Sequence, residues 1–173
     1  MSIAQVVDKE ISIGNNEDGN QFLSFFMADE EYGIDILRVQ EIRGWDSVTK
    51  IPNTPDYIKG VINIRGTIVP IIDLRLKFKT DSAIYDKTTV VIVVGVKTEG
   101  KTRTMGMVVD AVSDVYSITQ EQIKEAPNFG SIVKTEFVQG LATIDEKMLI
   151  LLEIDMLLNS DDLSVINTAE KTD

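Results

Sequence analysis

The chain has 173 residues, 43% of them hydrophobic, and its 17 basic and 28 acidic residues give a net charge of −11. That size and balance suit one globular domain, or two small ones sharing a core, while the acidic field repels nucleic acid and anionic membrane. The absence of histidine and cysteine excludes Ser-His-Asp and Cys-His nucleophilic sites, thiolate and disulfide chemistry, nearly every zinc site and a phosphohistidine relay.

No stretch approaches the run of ~18 apolar residues that a membrane-spanning helix needs. The N-terminus, MSIAQVVDKEISIGNNEDG, has acids where a signal peptide has a basic region and an apolar core, so a cytosolic protein is expected. Residues 1–20 read as a flexible tail in which Ile3 to Ile13 forms a marginal helix. Strand signals then dominate: Phe22 to Met27, Ile34 to Ile36, Val39 to Ile42, and GVINIRGTIVPIID from Gly60 to Asp73, with Arg65-Gly66 as a hairpin turn. Thr88 to Val96, Met105 to Val109, Phe137 to Ile144 and Met148 to Ile154 continue the pattern. Helical signals are short. Thr54-Pro55-Asp56 resembles an N-cap followed by proline at the first helical position, and Thr119 to Gln122 fits a capping box. Beyond residue 158 the sequence turns polar, predicting a tail or one short helix near Leu163 to Ile166.

Within these elements, Ile71, Ile72, Leu74, Leu149, Leu151 and Leu152 are expected in the core. Pro70 donates no ladder hydrogen bond, which predicts an edge or a bulge at its place. Trp45, in a polar loop, is either a lid on the fold or a contact residue. Asp35 and Asp110, the acids nearest to a paired-carboxylate site, are expected to face outward from strands.

The chain repeats itself. GIDILRVQEI from Gly33 aligns with GMVVDAVSDV from Gly106, and GVINIRGTIVPIIDL from Gly60 with GLATIDEKMLILLEI from Gly140. The offset between copies is 73 residues in the first alignment and 80 in the second. A longer loop in the second half explains the shift, with a longer charged hairpin contributing to it. Two similar small barrels, each too small to be comfortable alone, would share an interface.

Gly95 to Thr102, GVKTEGKT, spells G-x-x-x-x-G-K-[ST] through Gly95, Gly100, Lys101 and Thr102. A phosphate-binding loop must open a helix, whose N-terminal amides hold the phosphates. Here β-branched residues and Gly106 follow, and the first-half counterpart, Ala28 to Tyr32, is a short acidic turn. The match predicts a solvated hairpin tip and no nucleotide cofactor.

The run YGIDILRVQEIRGWDSVTKIPNTPDYIKGVINIRGTIVPIIDLRLKF, Tyr32 to Phe78, resembles the CheW family of bacterial chemotaxis coupling proteins. MGMVVDAVSDV at 105–115, EQIKEAP at 121–127 and FVQGLATIDEKMLILLEIDMLL at 137–158 match in the same order. The resemblance implies a mainly β fold over 21–158: two intertwined five-stranded SH3-like barrels with a few short helices. The first barrel motif would span roughly 21–80 and the second roughly 86–158. It implies a non-enzymatic adaptor with no cofactor or metal, coupling chemoreceptors (methyl-accepting chemotaxis proteins) to the histidine kinase CheA and helping to control its activity. The partners would be the kinase's regulatory CheW-like domain and the cytoplasmic signalling tip of receptors, without membrane insertion. Ring assemblies with the kinase or with itself stay open. The chain would be cytoplasmic, recruited to receptor arrays, and a stand-alone adaptor, lacking the kinase domains of CheA and the receiver domain of CheV.

Arg65 in NIRG and Glu41 in VQEI resemble a charged pair that the family places near the receptor surface. Val39, Gly60, Gly66, Val90, Gly106 and Gly140 correspond to positions associated with receptor coupling, and Val39 and Ile42 suit apolar contact with an amphipathic helix. The glycines leave two readings open, partner contact or a backbone conformation that the fold requires.

Overall fold

Alternating apolar runs separated by turn residues become eleven strands among the residues described by the computed structural model, 20–80, 83–125 and 135–158. The expected tails and the helices expected at Ile3 to Ile13 and Leu163 to Ile166 lie outside them. In chain order the elements are β1 (Asn20–Met27), β2 (Glu30–Asp35), β3 (Val39–Gly44), β4 (Ile58–Ile64), β5 (Thr67–Asp73) and α1 (Leu74–Lys77). Then come β6 (Val90–Thr98), β7 (Lys101–Val109), β8 (Ala111–Ile118), β9 (Ile123–Lys124), β10 (Val138–Ile144), β11 (Lys147–Leu152) and α2 (Ile154–Leu158). Single 3₁₀ turns cover Ile36–Arg38, Gln120–Gln122 and Thr135–Phe137. Among the described residues no helix is long and apolar enough to cross a membrane.

Four hairpins share one turn geometry. Ala28-Asp29, Arg65-Gly66, Glu99-Gly100 and Asp145-Glu146 all have positive φ at both residues, the requirement of a two-residue type I′ turn. GVKTEGKT is therefore the end of β6, the Glu99-Gly100 turn and the start of β7, with strand and no helix after Thr102. The capping box forms at Thr119, whose N–H donates to Gln122 Oε1 at 2.7 Å, but it opens only the 3₁₀ turn that leads into β9. No helix forms at Thr54-Pro55-Asp56. Thr54 Oγ1 donates backwards to Ile51 O at 3.0 Å and Ile58 N–H closes a turn on Pro55 O, because residues that suit an N-cap also suit a turn.

The strands form two sheets, and each draws on both halves of the sequence. One runs β8-β1-β2-β11-β10-β9 and the other β3-β6-β7-β5-β4. The halves join where each closing strand pairs in parallel with the other half's hairpin. Leu151 of β11 lies beside Gly33 of β2, and Ile71 of β5 beside Gly106 of β7. These are the residues the two sequence alignments equate, so the duplication is structural. Backbone bonds repeat too: Asp73 N–H to Tyr57 O, and Glu153 N–H to Phe137 O. The hairpin length explains none of the shift in offset. β6–β7 is the longer hairpin, with nine residues in each strand against eight and six, but its extra length precedes Gly106. The insertion falls between Val115 and Gly140.

Strand alternation sorts the core into three. Val91 and Val93 of β6 and Val108 of β7 pack with Ile64, Val69 and Ile71 inside the five-stranded sheet. Their neighbours Val90, Ile92, Val94, Met105, Met107 and Val109 point the other way, into a shared cluster with Leu23, Phe25, Tyr32 and Ile34. Strands buried on both faces explain the unbroken apolar run of β6. Phe22, Ile118, Ala142, Leu149 and Leu151 fill the six-stranded sheet. All six aliphatic residues expected in the core are buried.

Pro70 has a specific exemption. Val61, its partner in β4, turns both its backbone groups to Thr49, so β5 needs no bond from residue 70 on that side. On the other side the parallel ladder with β7 starts only at Ile71. The counterpart Ile150 is paired, opposite Tyr32.

Candidate partner-binding site

β3 and β4 lie at opposite edges of the five-stranded sheet, and the chain between them draws those edges together. Thr49 bridges Val61 through bonds of 3.0 and 2.8 Å, and Arg65 Nη2 at the β4–β5 tip reaches Glu41 Oε2 on β3 at 3.4 Å. The Arg65 side chain is 77% exposed and that of Glu41 28%. A long, solvated contact of this kind holds neither side chain firmly, so the guanidinium can re-pair. Gly66 completes the tip with φ +88, and its N–H donates to Asn63 Oδ1 at 2.8 Å.

The other sequence-derived residues do not join this tip as one patch. Val39 and Ile42 are half-buried on β3, packed against the core shared by the two halves. Val90 is buried in that core and 1% exposed, so its side chain has no accessible surface. The glycines Gly60, Gly106 and Gly140 sit at three separate places where a side chain has no room. A Cβ on Gly60 would stand 2.1 Å from Thr49 O, at φ +141. On Gly106 it would meet Ile71 Cδ1 at 2.5 Å, and on Gly140 Ile123 Cγ2 at 2.5 Å. Their immediate constraint is the fold.

Trp45 is a lid. It packs against the interior of the five-stranded sheet, its ring centroid lies 4.6 Å from that of Tyr85, and its backbone N–H donates to Thr89 O. Beside it a shallow cleft of about 260 Å³ is lined by Arg43, Asp46, Ser47 and Asn63 among others.

Two charged networks escaped the sequence reading. Arg75, fully buried, binds both carboxylate oxygens of Asp73 at 3.0 and 2.9 Å, Asp110 Oδ1 at 3.0 Å and Ile84 O at 2.6 Å. Burial opposes its charge, but the bonds to Asp73 and Asp110 outweigh that and raise its pKa above the usual arginine value. Tyr85 donates to Asp73 Oδ2, and burial together with that bond pushes the phenol above the usual tyrosine range. Asp110 is thus a working partner and not an outward-facing strand residue. Its Oδ2 also accepts from Ala28 N–H at 3.0 Å.

The second network is the forked pair of Arg38 and Asp155, with Nη1 to Oδ1 at 2.8 Å and Nη2 to Oδ2. Arg38 also donates to Gly95 O, and Asp155 Oδ1 accepts from Lys97 N–H at 2.8 Å. Burial would raise the pKa of Asp155, yet these bonds prevail and hold it below the usual carboxylate value. The available signal was a repeat comparison: Arg75 and Asp155 align, with opposite charges. Asp35 caps the 3₁₀ turn that carries Arg38, accepting from Leu37 N–H at 2.9 Å.

A duplicated, intertwined β fold that offers charged hairpin tips and an edge strand to solvent defines an interaction module of SH3-like barrels. The chain belongs to the CheW family: the model of the CheW-like domain matches residues 21–162. It is 53% identical over 154 residues to the chemotaxis protein CheW of Klebsiella aerogenes, covering 89% of this chain and 90% of that one. It is 36% identical over 142 residues to the probable chemotaxis protein CheW of Rhizobium etli, covering 82% and 89%. The crystal structure of the scaffolding protein TtCheW from Thermoanaerobacter tengcongensis superimposes with a TM-score of 0.74 at 34% identity, covering 86% of this chain and 93% of that chain.

Proposed function

We propose that this protein is a non-enzymatic adaptor of bacterial chemotaxis, coupling the cytoplasmic signalling tip of chemoreceptors to the regulatory domain of the histidine kinase CheA and helping to control kinase activity. The observation that carries the proposal is the near-complete match to proteins named CheW, 53% identical over 90% of one relative's length. In this reading the chain works in the cytoplasm and is recruited to receptor arrays. Rings with the kinase or with further copies of itself extend the same contacts.

The contact surface is assigned to the first half. Arg65 and Glu41 supply polar contacts, because their long 3.4 Å pairing leaves both able to exchange partners. Val39 and Ile42 on the same strand supply apolar area for a receptor helix. Gly66 shapes the tip, while Gly60, Val90, Gly106 and Gly140 act through the backbone and core that hold β3, β4 and β10 in place.

The test mixes the protein, the kinase and a receptor signalling fragment, and reads co-sedimentation and kinase activity together. All three components are expected in the pellet, with kinase activity raised above that of the kinase alone. A protein that stays in the supernatant with both partners present would overturn the proposal.

A further inference from the structure

The two halves dock by exchanged strands, and the apolar part of the junction does not tell one half from the other. Gly33 and Gly106 are the slots: a Cβ there would lie 3.0 Å from Leu151 Cδ2 and 2.5 Å from Ile71 Cδ1, respectively. Ile71 and Leu151 are aliphatic residues at equivalent places, and exchanges of similar volume are tolerated in cores. A second copy of the first half thus offers the β2 slot a usable closing strand, and a second copy of the second half does the same for β7. Pairing β5 with β2 would set Pro70 where Ile150 now faces Tyr32, costing at most one ladder bond.

The polar contacts do distinguish the halves. In each, the second residue of the short helix after the closing strand clasps a charge just beyond the other half's slot-bearing strand. Arg75 of α1 holds Asp110, which follows β7, and Asp155 of α2 holds Arg38, in the 3₁₀ turn that follows β2. Each clasp also takes up backbone of the opposite hairpin. Asp110 accepts from Ala28 N–H in the β1–β2 turn, while Asp155 and Arg38 bind Lys97 N–H and Gly95 O of β6. The helix ends of the clasps, Arg75 and Asp155, align and differ in sign, and their partners Asp110 and Arg38 stand one residue apart in the repeat: the helix carries the cation in the first half and the anion in the second.

We propose that this opposite polarity makes each half accept the other and reject a second copy of itself. Pairing first half with first half would set Arg75 against Arg38. Pairing second with second would set Asp155 against Asp110. The Arg75 side chain is 1% exposed and Arg38 19%, so Arg75, left with Asp73 alone as its carboxylate partner, would meet a second cation where water screens it on the Arg38 side only. Repulsion in the wrong assembly, as well as attraction in the right one, confers specificity. In a duplicated chain the wrong assembly is a strand-exchanged oligomer formed during folding. The inference concerns assembly and does not depend on the coupling function.

The test refolds the full chain from denaturant at high concentration. The sequence has no cysteine, so Glu30→Cys with Ile68→Cys gives a specific reporter. With the β11–β2 register of Ile150 beside Tyr32 continued two places toward the strand starts, these positions, in β2 and β5, come side by side when two first halves pair across two molecules. The Arg38→Asp, Asp155→Arg variant keeps an attractive intramolecular clasp but gives both helices a cation, so like halves now attract. It is expected to form about tenfold more 30–68 disulfide-linked oligomer than the parent, measured on non-reducing gels and by light scattering. The neutral variant, Arg38→Gln with Asp155→Asn, keeps an acceptor for Lys97 N–H and carries the test if the reversed pair fails to fold. It is expected to lie above the parent. Linked oligomer at the parent's level in the folded variants, or extra oligomer without the 30–68 link, would overturn the proposal.

Discussion

The β4–β5 and β10–β11 tips have the same backbone and opposite surfaces. Arg65-Gly66 and Asp145-Glu146 occupy equivalent type I′ turns, and Glu41 on β3 corresponds to Asp114 on β8. The strands agree residue by residue: Val39 and Ile42 face Val94 and Ile92, as Val112 and Val115 face Phe25 and Leu23. One tip pairs a cation with an acid, whereas the equivalent positions of the other are both acidic. At these tips the backbone and the core-facing positions are what the duplication kept, and the exposed charges are where the halves diverged. A partner drawn to the Arg65 tip would be turned away by the other by charge alone.

The largest contrast expected between equivalent positions is at Gly60 and Gly140. Gly60→Ala must push against the Thr49 backbone at a φ that side chains avoid, and is expected to cost about 3 kcal/mol or more in urea unfolding. At Gly140, where φ is not in the left-handed region, a Cβ would meet the Ile123 side chain at 2.5 Å and Lys124 O at 2.9 Å, both on the two-residue strand β9. Alanine there is expected to cost about 1–3 kcal/mol. Equal losses would show that backbone conformation is not what separates the sites.

The two clasps rank next. Arg75→Met strands Asp73 and Asp110 without their cation and is expected to cost about 3–5 kcal/mol, as for other broken buried pairs. Arg38→Met breaks a pair whose side chains are 19% and 27% exposed, and about 1 kcal/mol is expected after solvent screening. Thermal and denaturant unfolding of both variants would reveal whether burial sets the order.

Acid titration sharpens the same comparison. The bonds from Arg38 and from Lys97 N–H prevail over burial and hold the folded Asp155 carboxyl below the usual carboxylate value, so its contribution is complete above the unfolded-state pKa and is lost as pH falls through the folded one. Asp155→Asn is expected to flatten the fall in stability below about pH 4. A variant with the same acid dependence as the parent would remove Asp155 from the account.

Much of this was legible in the sequence. β-Branched runs and the paired glycines at 33/106 and 60/140 marked the strands and the duplication, because a strand junction with no room for a side chain leaves a glycine in both copies. The intertwining came only from the family resemblance, since which hairpin accepts a closing strand is decided by tertiary packing. Residues 111–118 hid a strand because their half-buried polar positions blur the alternation. Thr54-Pro55-Asp56 misled because turn and helix start share a chemistry. No local pattern marks Arg75 for burial, and only its aspartates justify it. The Glu41–Arg65 contact came from the family resemblance, as no local pattern links residues on different strands.

The smallest expected stability effect accompanies the largest functional one. Arg65→Glu removes a solvated contact worth ~0–1 kcal/mol and puts an acid where the second tip has Asp145. The decisive measurement is co-sedimentation of the wild type, Arg65→Glu and the reversed pair Arg65→Glu with Glu41→Arg, each with kinase and receptor fragment, beside their melting curves. The account predicts lost receptor coupling in the single variant, recovery in the reversed pair and unchanged melting in both. Normal coupling by Arg65→Glu would contradict it.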